Sequence, residues 1–173
     1  TVTEDFMEDN VLIKIKTYQD IDGDGDEPIE LETPGKFGTV NGKYYIMYNE
    51  SELTGFRDTK TTIKVWDKNV TVVRKGNYNT TISYTEGERN LCLYKTEYGE
   101  VGASIKTFEI DFAIDADAMN GDVKVDYTLD TDNTNYYKNS LNIHIEPLKK
   151  TSDREPSDHA KSLYVHDIIF PIA

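Results

Sequence analysis

Between Val11 and Glu146, short runs of Ile, Val, Tyr, Phe and Thr alternate with polar residues, and this alternation limits the fold more than any other feature. Turn signals interrupt it about every 8 to 12 residues, among them Asn41-Gly42, Gly76-Asn77 and Asn120-Gly121. Successive side chains of a strand point to opposite faces, so a period of two predicts half-buried strands. The pattern predicts an all-β chain with almost no helix, folded as a single antiparallel barrel of about 8 to 10 strands.

The alternating runs also give positions for the strands. Pro34 and Gly35 fall inside the second run and predict a bulge or a bend there. In the eighth run, Phe108, Ile110, Phe112 and Ile114 are predicted to share the inward face. The predicted strands are Val11–Gln19, Ile29–Phe37, Lys43–Asn49, Thr59–Trp66, Val70–Lys75, Tyr78–Tyr84, Leu91–Thr96, Ser104–Ile114, Val123–Leu129 and Leu141–Ile145.

Three segments are expected along the chain. Residues 1–10 form an acidic N-terminal segment, residues 11–148 form the barrel domain, and residues 149–173 form a polar linker followed by an apolar tail. The tail is too apolar to remain in water, so we expect it to pack on the barrel or on a second copy of the chain. A homo-oligomer formed through this tail is therefore an expectation, carried by Leu163, Val165, Ile168, Ile169 and Phe170.

The charge and the cysteine content exclude several classes of protein. A net charge of −13 and a pI of about 4.6 disfavour binding to nucleic acid or to an anionic membrane. Cys92 is the single cysteine, which excludes an intrachain disulfide and fits a reducing compartment. No apolar run reaches the roughly 18 residues that span a bilayer, and no signal peptide is recognised. We expect a cytoplasmic protein with no nucleic-acid partner and no membrane partner.

An acidic loop between the first two strands resembles half of a calcium-binding loop. Asp20, Asp22 and Asp24 followed by Gly25 reproduce the first half of an EF-hand loop. The second half fails, because Leu31 stands where the bidentate Glu is needed. A weak calcium site and a plain acidic loop both fit, and we expect no metal and no calcium-dependent stabilisation.

Catalytic patterns are weak. Glu50 and Glu52 would lie on one side of an extended segment and suggest paired carboxylates, but the turn that follows favours a role as caps of backbone N–H groups. His144, His159 and His166 lack the spacing of metal ligands. Since phosphate-binding loops, dinucleotide fingerprints and nucleophile elbows are also missing from the sequence, we expect no enzymatic activity and no cofactor.

Aromatic residues are the candidate ligand contacts. Barrels of this size either fill with side chains or hold one small molecule, and large aromatic side chains suit both outcomes. If the barrel holds a ligand, the residues expected to line it are Tyr44, Tyr48, Trp66, Phe108 and Phe112. The alternative is a filled core.

Three stretches resemble a known family. They are NGKYYIMYNESELTG (41–55), LYKTEYGEVGASIKT (93–107) and VKVDYTLD with NSLNIHIE (123–146). Tyr48, Glu50, Glu52, Leu53, Thr54 and Gly55 match a Tyr-x-Glu-x-Glu-Leu-Thr-Gly pattern. Thr96, Tyr98 and Gly99 match a Thr-Pro-Tyr-Gly turn in which Glu97 replaces proline. The chain thereby resembles the YwiB-like family of small bacterial proteins, which implies a cytoplasmic, lipocalin-like (calycin-type) β-barrel and no established activity.

Two functions follow as expectations. The first is a non-enzymatic barrel that binds a small apolar or amphipathic ligand inside it. The alternative is an accessory protein that binds another protein through a barrel edge, through the Glu-Leu-Thr-Gly loop at 52–55, or through the C-terminal tail.

Overall fold

The computed structural model describes residues 8–20, 27–96, 99–132 and 135–149, without the side chains of 20, 53, 94–96, 101, 131, 132, 135 and 136. Ten strands account for most of these residues, and the helical content described is one 3₁₀ turn, Glu52–Thr54. The strands are β1 Val11–Asp20, β2 Ile29–Val40, β3 Lys43–Asn49, β4 Thr59–Trp66, β5 Asn69–Gly76, β6 Thr80–Thr85, β7 Arg89–Thr96, β8 Gly99–Asp115, β9 Asn120–Asp132 and β10 Asn135–Pro147.

The strands form one antiparallel sheet in the order β6-β5-β4-β3-β2-β1-β10-β9-β8-β7. Neighbours in the sheet are neighbours along the chain, except that the first and last strands pair with each other. This pairing curls the meander into a nearly closed barrel whose seam lies between β6 and β7. The prediction of a single antiparallel barrel with almost no helix is confirmed.

Strand β2 changes its pairing partner next to Pro34 and Gly35, where the sequence predicts a bulge or a bend. Gly35 is the last residue of β2 that pairs with β1, and Lys36 is the first that pairs with β3. A side chain at Gly35 would collide with the Ile13 side chain and the Met47 carbonyl oxygen, so this crowded position requires glycine. Asn10, which directly precedes β1, continues the contact between β1 and β2. Its side-chain amide exchanges two hydrogen bonds with the backbone of Phe37, at 2.8 and 3.0 Å.

The inward-facing residues of the strands pack together into one continuous core. On β1, β9 and β10 the inward residues are those that the alternation predicts, and all of them are buried: Val11, Ile13, Ile15, Val123, Val125, Tyr127, Leu129, Leu141, Ile143 and Ile145. The opposite phase carries exposed or half-buried polar groups. His144 belongs to it, and its Nδ1 lies 2.8 Å from Asp122 Oδ1 on the outer surface.

Strand β8 does not keep one phase, and this corrects the prediction for Phe108. The register with β9 shifts between Thr107 and Glu109, so Phe108 is the extra residue of a β-bulge. Its ring points outward and is 53% exposed. Thr107 and Ile110, on either side of the bulge, are both buried. The predicted inward face therefore begins at Ile110.

Among the described residues no backbone ladder joins β6 to β7, and this end of the barrel is held by side chains and by backbone hydrogen bonds between Thr107 and the turn at Gly87 and Glu88. Glu86, in the turn between β6 and β7, accepts a hydrogen bond from the Ile110 backbone N–H at 2.9 Å. Lys68, in the turn between β4 and β5, donates to the Ile110 carbonyl at 3.3 Å and lies 3.5 Å from Glu86 Oε2. Between the two edge strands themselves, the side-chain amide of Asn90 on β7 donates to the Ser83 carbonyl on β6 at 3.1 Å.

Candidate functional site

A polar layer crosses the barrel interior on four adjacent strands. Tyr48, Thr61, Arg74 and Thr80 are direct cross-strand partners in that order. The next inward layer on the same strands is wholly apolar, and consists of Ile46, Ile63, Val72 and Ile82. An arginine in the inward phase of a strand is unusual, because charged side chains are rarely buried unless they are paired.

Among the described residues, Glu50 is the ionic partner of Arg74 inside the barrel. The side chains of Arg74 and Glu50 are both 0% exposed, and Arg74 Nε lies 3.7 Å from Glu50 Oε1. The same carboxyl oxygen accepts a hydrogen bond from the Thr61 hydroxyl at 2.5 Å. The Arg–Glu contact is longer than a hydrogen bond, so the guanidinium is compensated in charge while its N–H groups stay unpaired.

The connection between β3 and β4 closes the barrel over this pair. Glu50 donates its backbone N–H to Thr59 at 2.8 Å, and the 3₁₀ turn ends at Gly55, which has a φ of 82°. The chain then places the Phe56 ring against the guanidinium, with 4.6 Å between Arg74 Cζ and the ring centroid. Tyr78 meets the Phe56 ring edge-on, with centroids 5.2 Å apart.

Two further buried tyrosines lie on β6 and β9, and Tyr84 is opposite Val70, on the far side of the apolar layer from Arg74. Tyr84 and Tyr127 are buried, and their rings meet edge-on with centroids 4.9 Å apart. We refer to the buried side chains of Tyr48, Glu50, Thr61, Arg74, Tyr84 and Tyr127 as the interior polar cluster.

Most polar atoms of the interior polar cluster lack a hydrogen-bond partner among the described residues. They include all three guanidinium nitrogens of Arg74, Glu50 Oε2, and the hydroxyl groups of three tyrosines, Tyr48, Tyr84 and Tyr127. The two hydroxyls of Tyr84 and Tyr127 do influence one another's titration, although their geometry falls short of a hydrogen bond. Each unpaired buried polar group costs ~1–3 kcal/mol of folding free energy. A set of this size is therefore not explained by stability.

The three tyrosines keep their hydroxyl protons. Burial is the main cause that raises the pKa of Tyr48, and the neighbouring Glu50 raises that pKa further. Burial likewise raises the pKa of Tyr84 and the pKa of Tyr127. At neutral pH all three are neutral phenols, each with one O–H to donate.

The five residues predicted to line a ligand site separate into three places. Tyr48 lies in the interior polar cluster. Tyr44 and Phe112 face inward elsewhere, where their rings meet edge-on at 6.0 Å and Tyr44 stacks on Phe37. Trp66 and Phe108 lie on the outside, so their assignment to the interior is wrong. Trp66 follows Val65, which is inward, and Lys43 Nζ lies 4.5 Å from its ring centroid.

The paired-carboxylate hypothesis for Glu50 and Glu52 is also wrong in its geometry. The 3₁₀ turn separates the two side chains, so Glu50 is buried while Glu52 is exposed and lies 3.5 Å from Arg57. Sequence reasoning assigned Glu50 to a surface turn and missed Arg74. The signal that could have found Arg74 is its position, because it follows Val70 and Val72 in the inward phase of β5.

Other reactive groups do not gather into a site. Cys92 is buried in the barrel wall, and burial raises the pKa of its thiol to about 11. Within the described part of the chain, no three His, Cys, Asp or Glu side chains are placed to hold a metal ion. The acidic loop at 21–26 lies outside the described residues, as do His159, His166 and the tail, so the predictions made for them stay predictions.

The family assignment agrees with the resemblance carried by residues 41–55. The model of the domain of unknown function DUF1934 matches residues 13–143. The chain belongs to this family. The span contains nine of the ten strands entirely or nearly so, together with Tyr48, Glu50 and Arg74.

Two comparisons with known proteins agree with the fold. The uncharacterized beta-barrel protein YwiB of Bacillus subtilis (strain 168) is 25% identical over 140 residues, which is 81% of this chain and 95% of that protein. The crystal structure of the ywiB protein from Bacillus subtilis superposes with a TM-score of 0.69 at 22% identity, and the match covers 86% of this chain and 100% of that one. At this identity the structural likeness concerns the fold. In the described ranges, the structure contains no helix that is long and apolar enough to cross a membrane.

Proposed function

We propose that this protein is a non-enzymatic binding protein that holds one small amphipathic molecule inside its barrel. The observation that carries the proposal is the interior polar cluster, in which a fully buried guanidinium and three buried phenols have unused hydrogen-bonding capacity. Ligand sites are mostly apolar with a few convergent polar groups, and this interior has that composition.

The surrounding residues support binding over catalysis. The apolar layer of Ile46, Ile63, Val72 and Ile82 lies directly next to the polar one and offers contacts to the apolar part of a ligand. Glu50 and Glu52 do not face a common cleft. The acidic composition and the single cysteine are consistent with action in the cytoplasm, which we include in the proposal.

Native mass spectrometry of protein purified from its own cell tests the proposal. We expect a mass excess of one small organic molecule, which is released when the protein is denatured. The double variant Glu50→Gln/Arg74→Met keeps the cluster neutral and should lose the adduct. Arg89→Met is the matched control, because Arg89 is an exposed arginine that binds Ser104 on the outer surface.

The contrary result would be a protein whose mass equals that of the chain alone, and whose melting temperature does not respond to a panel of amphipathic metabolites. The interior polar cluster would then be occupied by water, and the proposal would fail.

A second candidate function is binding of another protein at the barrel edge. Leu91 and Leu93 on β7 are 85% and 67% exposed, and they lie beside the seam, where no other strand of the described residues pairs with the outer edge of β7. An exposed apolar strand edge can accept an additional strand. Sedimentation velocity of the wild type and of Leu91→Ser/Leu93→Ser tests for self-association, since only the wild type should gain mass with rising concentration.

A further inference from the structure

The hydrogen-bonding balance of the interior polar cluster indicates which chemical group it takes. Its unpaired donors in the polar layer are Nε, Nη1 and Nη2 of Arg74 and the hydroxyl of Tyr48, and the hydroxyls of Tyr84 and Tyr127 lie beyond the apolar layer. Its one unpaired atom that can only accept is Glu50 Oε2. A cluster with many donors and few acceptors is complementary to a group that carries several acceptors.

We infer that the cluster recognises a carboxylate, which Arg74 holds through Nη1 and Nη2 at the polar end of an otherwise apolar molecule. This inference rests on the proposed function and names its ligand class. A guanidinium presents its terminal N–H groups as a planar fork that matches the two oxygens of a carboxylate. The Tyr48 hydroxyl, in the same layer as Arg74 and protonated at neutral pH, is a further donor on this side of the apolar layer.

Glu50 is compatible with an anion at this position. Its contact with Arg74 is made at Nε, on the side of the guanidinium away from the carboxylate proposed here, and at 3.7 Å it uses none of the N–H groups in a hydrogen bond. The Thr61 hydroxyl already donates to the same Glu50 oxygen. The terminal fork of Arg74 is left for a second acceptor. The like charge of Glu50 weakens the binding of that acceptor without preventing it.

Phe56 marks the route by which a ligand would enter. The interior polar cluster has no exposed atoms on Arg74 or Glu50, so a covering side chain must move first. Phe56 lies on the guanidinium face and is itself only partly buried, and Tyr78 beside it is exposed. One layer of aromatic rings therefore separates the guanidinium from water. The short segment 51–58 that carries Phe56 is the element that would open.

Calorimetric titration with octanoate and with the uncharged octanamide, at pH 7 and low salt, tests the inference. The two probes share a chain and differ in the charge of the polar group. We expect wild type to bind octanoate about tenfold or more tightly than octanamide, which corresponds to one charge-assisted pair. Glu50→Gln should strengthen octanoate binding, because it removes the like charge while it keeps an acceptor for Thr61.

The double variant Glu50→Gln/Arg74→Met separates recognition from folding. It removes both charges together, so it should fold, and it should bind octanoate no better than octanamide. Equal binding of the two probes by wild type would overturn the carboxylate and leave ligand binding intact. A preference for octanoate that survives in the double variant would place the anion elsewhere and also overturn the inference. If neither probe binds and native mass spectrometry shows no adduct, the proposed function itself fails.

Discussion

Two adjacent layers of the barrel interior lie on the same four strands and differ in almost everything else. The layer of Ile46, Ile63, Val72 and Ile82 is apolar and fully buried, and its side chains have no polar atom that requires a hydrogen-bond partner. The polar layer one step along the strands contains Tyr48, Thr61 and Arg74, and most of its polar atoms are unpaired. The backbone hydrogen bonding, the inward phase and the burial are the same in both.

The difference between the two layers shows which side chains stabilise the fold and which do not. Apolar contacts in the first layer stabilise the barrel through burial, at ~0.8 kcal/mol for each methylene group removed from water. Replacing a buried ion pair by apolar residues of similar volume is often neutral or stabilising in other proteins. The polar layer is therefore better explained by recognition than by stability.

The largest effect on stability is expected from removing only one charge of the Arg74–Glu50 pair. Glu50→Gln leaves the Arg74 guanidinium buried without a compensating charge, and should lower the free energy of unfolding by about 3–5 kcal/mol. Glu50→Gln/Arg74→Met removes both charges and should recover most of that loss. Guanidinium chloride denaturation of wild type, both single variants and the double variant measures the coupling. Additive losses would mean that Arg74 and Glu50 do not interact, and the comparison between layers would lose its basis.

The apolar layer should respond differently. Ile63→Ala removes buried methyl groups at the centre of this layer and should cost about 2–5 kcal/mol by the same measurement. A second substitution in the polar layer should not recover this loss, because the cavity remains. A loss below about 0.5 kcal/mol would show that this layer is not the part that stabilises the fold.

The alternation predicted the strands and most of the core because it reports directly on the two faces of a sheet. It was right for β1, β9 and β10, where every expected inward residue is buried. It was wrong at Phe108, because one extra residue in a bulge shifts the phase between Thr107 and Ile110 and leaves no trace in the pattern. A period of two carries no information about insertions of a single residue.

The candidate site was harder to predict for a different reason. Tyr48 was recognised as a candidate, but Arg74 was not, and Glu50 was expected to cap backbone N–H groups of a turn. Their meeting depends on the 3₁₀ turn and on pairing between β3, β4 and β5, which join residues 24 positions apart in the sequence. Polarity alone assigns both residues to the surface, and only the inward phase of β5 argues otherwise.

The bulge offers a comparison between the two faces of one strand. Phe112 faces inward, is partly buried and contacts Tyr44, so Phe112→Ala should cost about 2–3 kcal/mol, below the range for a fully buried phenylalanine. Phe108→Ala should change stability by no more than about 0.5 kcal/mol, because its ring is on the surface. Thermal denaturation of the two variants measures both. Equal losses would contradict the bulge, since an unbroken strand would place both rings inward.

The smallest effect on stability is expected at the seam. There Glu86 is an accessible carboxylate, whereas Glu50 is a buried one. Its partners are satisfied, and the Ile110 backbone N–H, followed by Lys68, holds the pKa of Glu86 below its ordinary value. Because the folded pKa lies below the unfolded one, this contribution is complete above about pH 4.5 and disappears as the pH falls through the folded pKa.

Hydrogen exchange of the Ile110 amide, followed by NMR from pH 6 to pH 3, measures this loss locally. After correction for the intrinsic exchange rate, protection of the amide should fall as Glu86 is protonated, while the core amide of Ile143 should keep its protection. Glu86→Gln retains an oxygen that accepts from Ile110 but has no charge to titrate, so its Ile110 protection should not depend on pH. If Ile110 lost protection equally in both proteins, the seam would open for a reason other than Glu86. A satisfied, accessible carboxylate such as Glu86 titrates with a local effect. Glu50 differs because it is buried opposite Arg74, so removing its charge is expected to affect the stability of the whole fold.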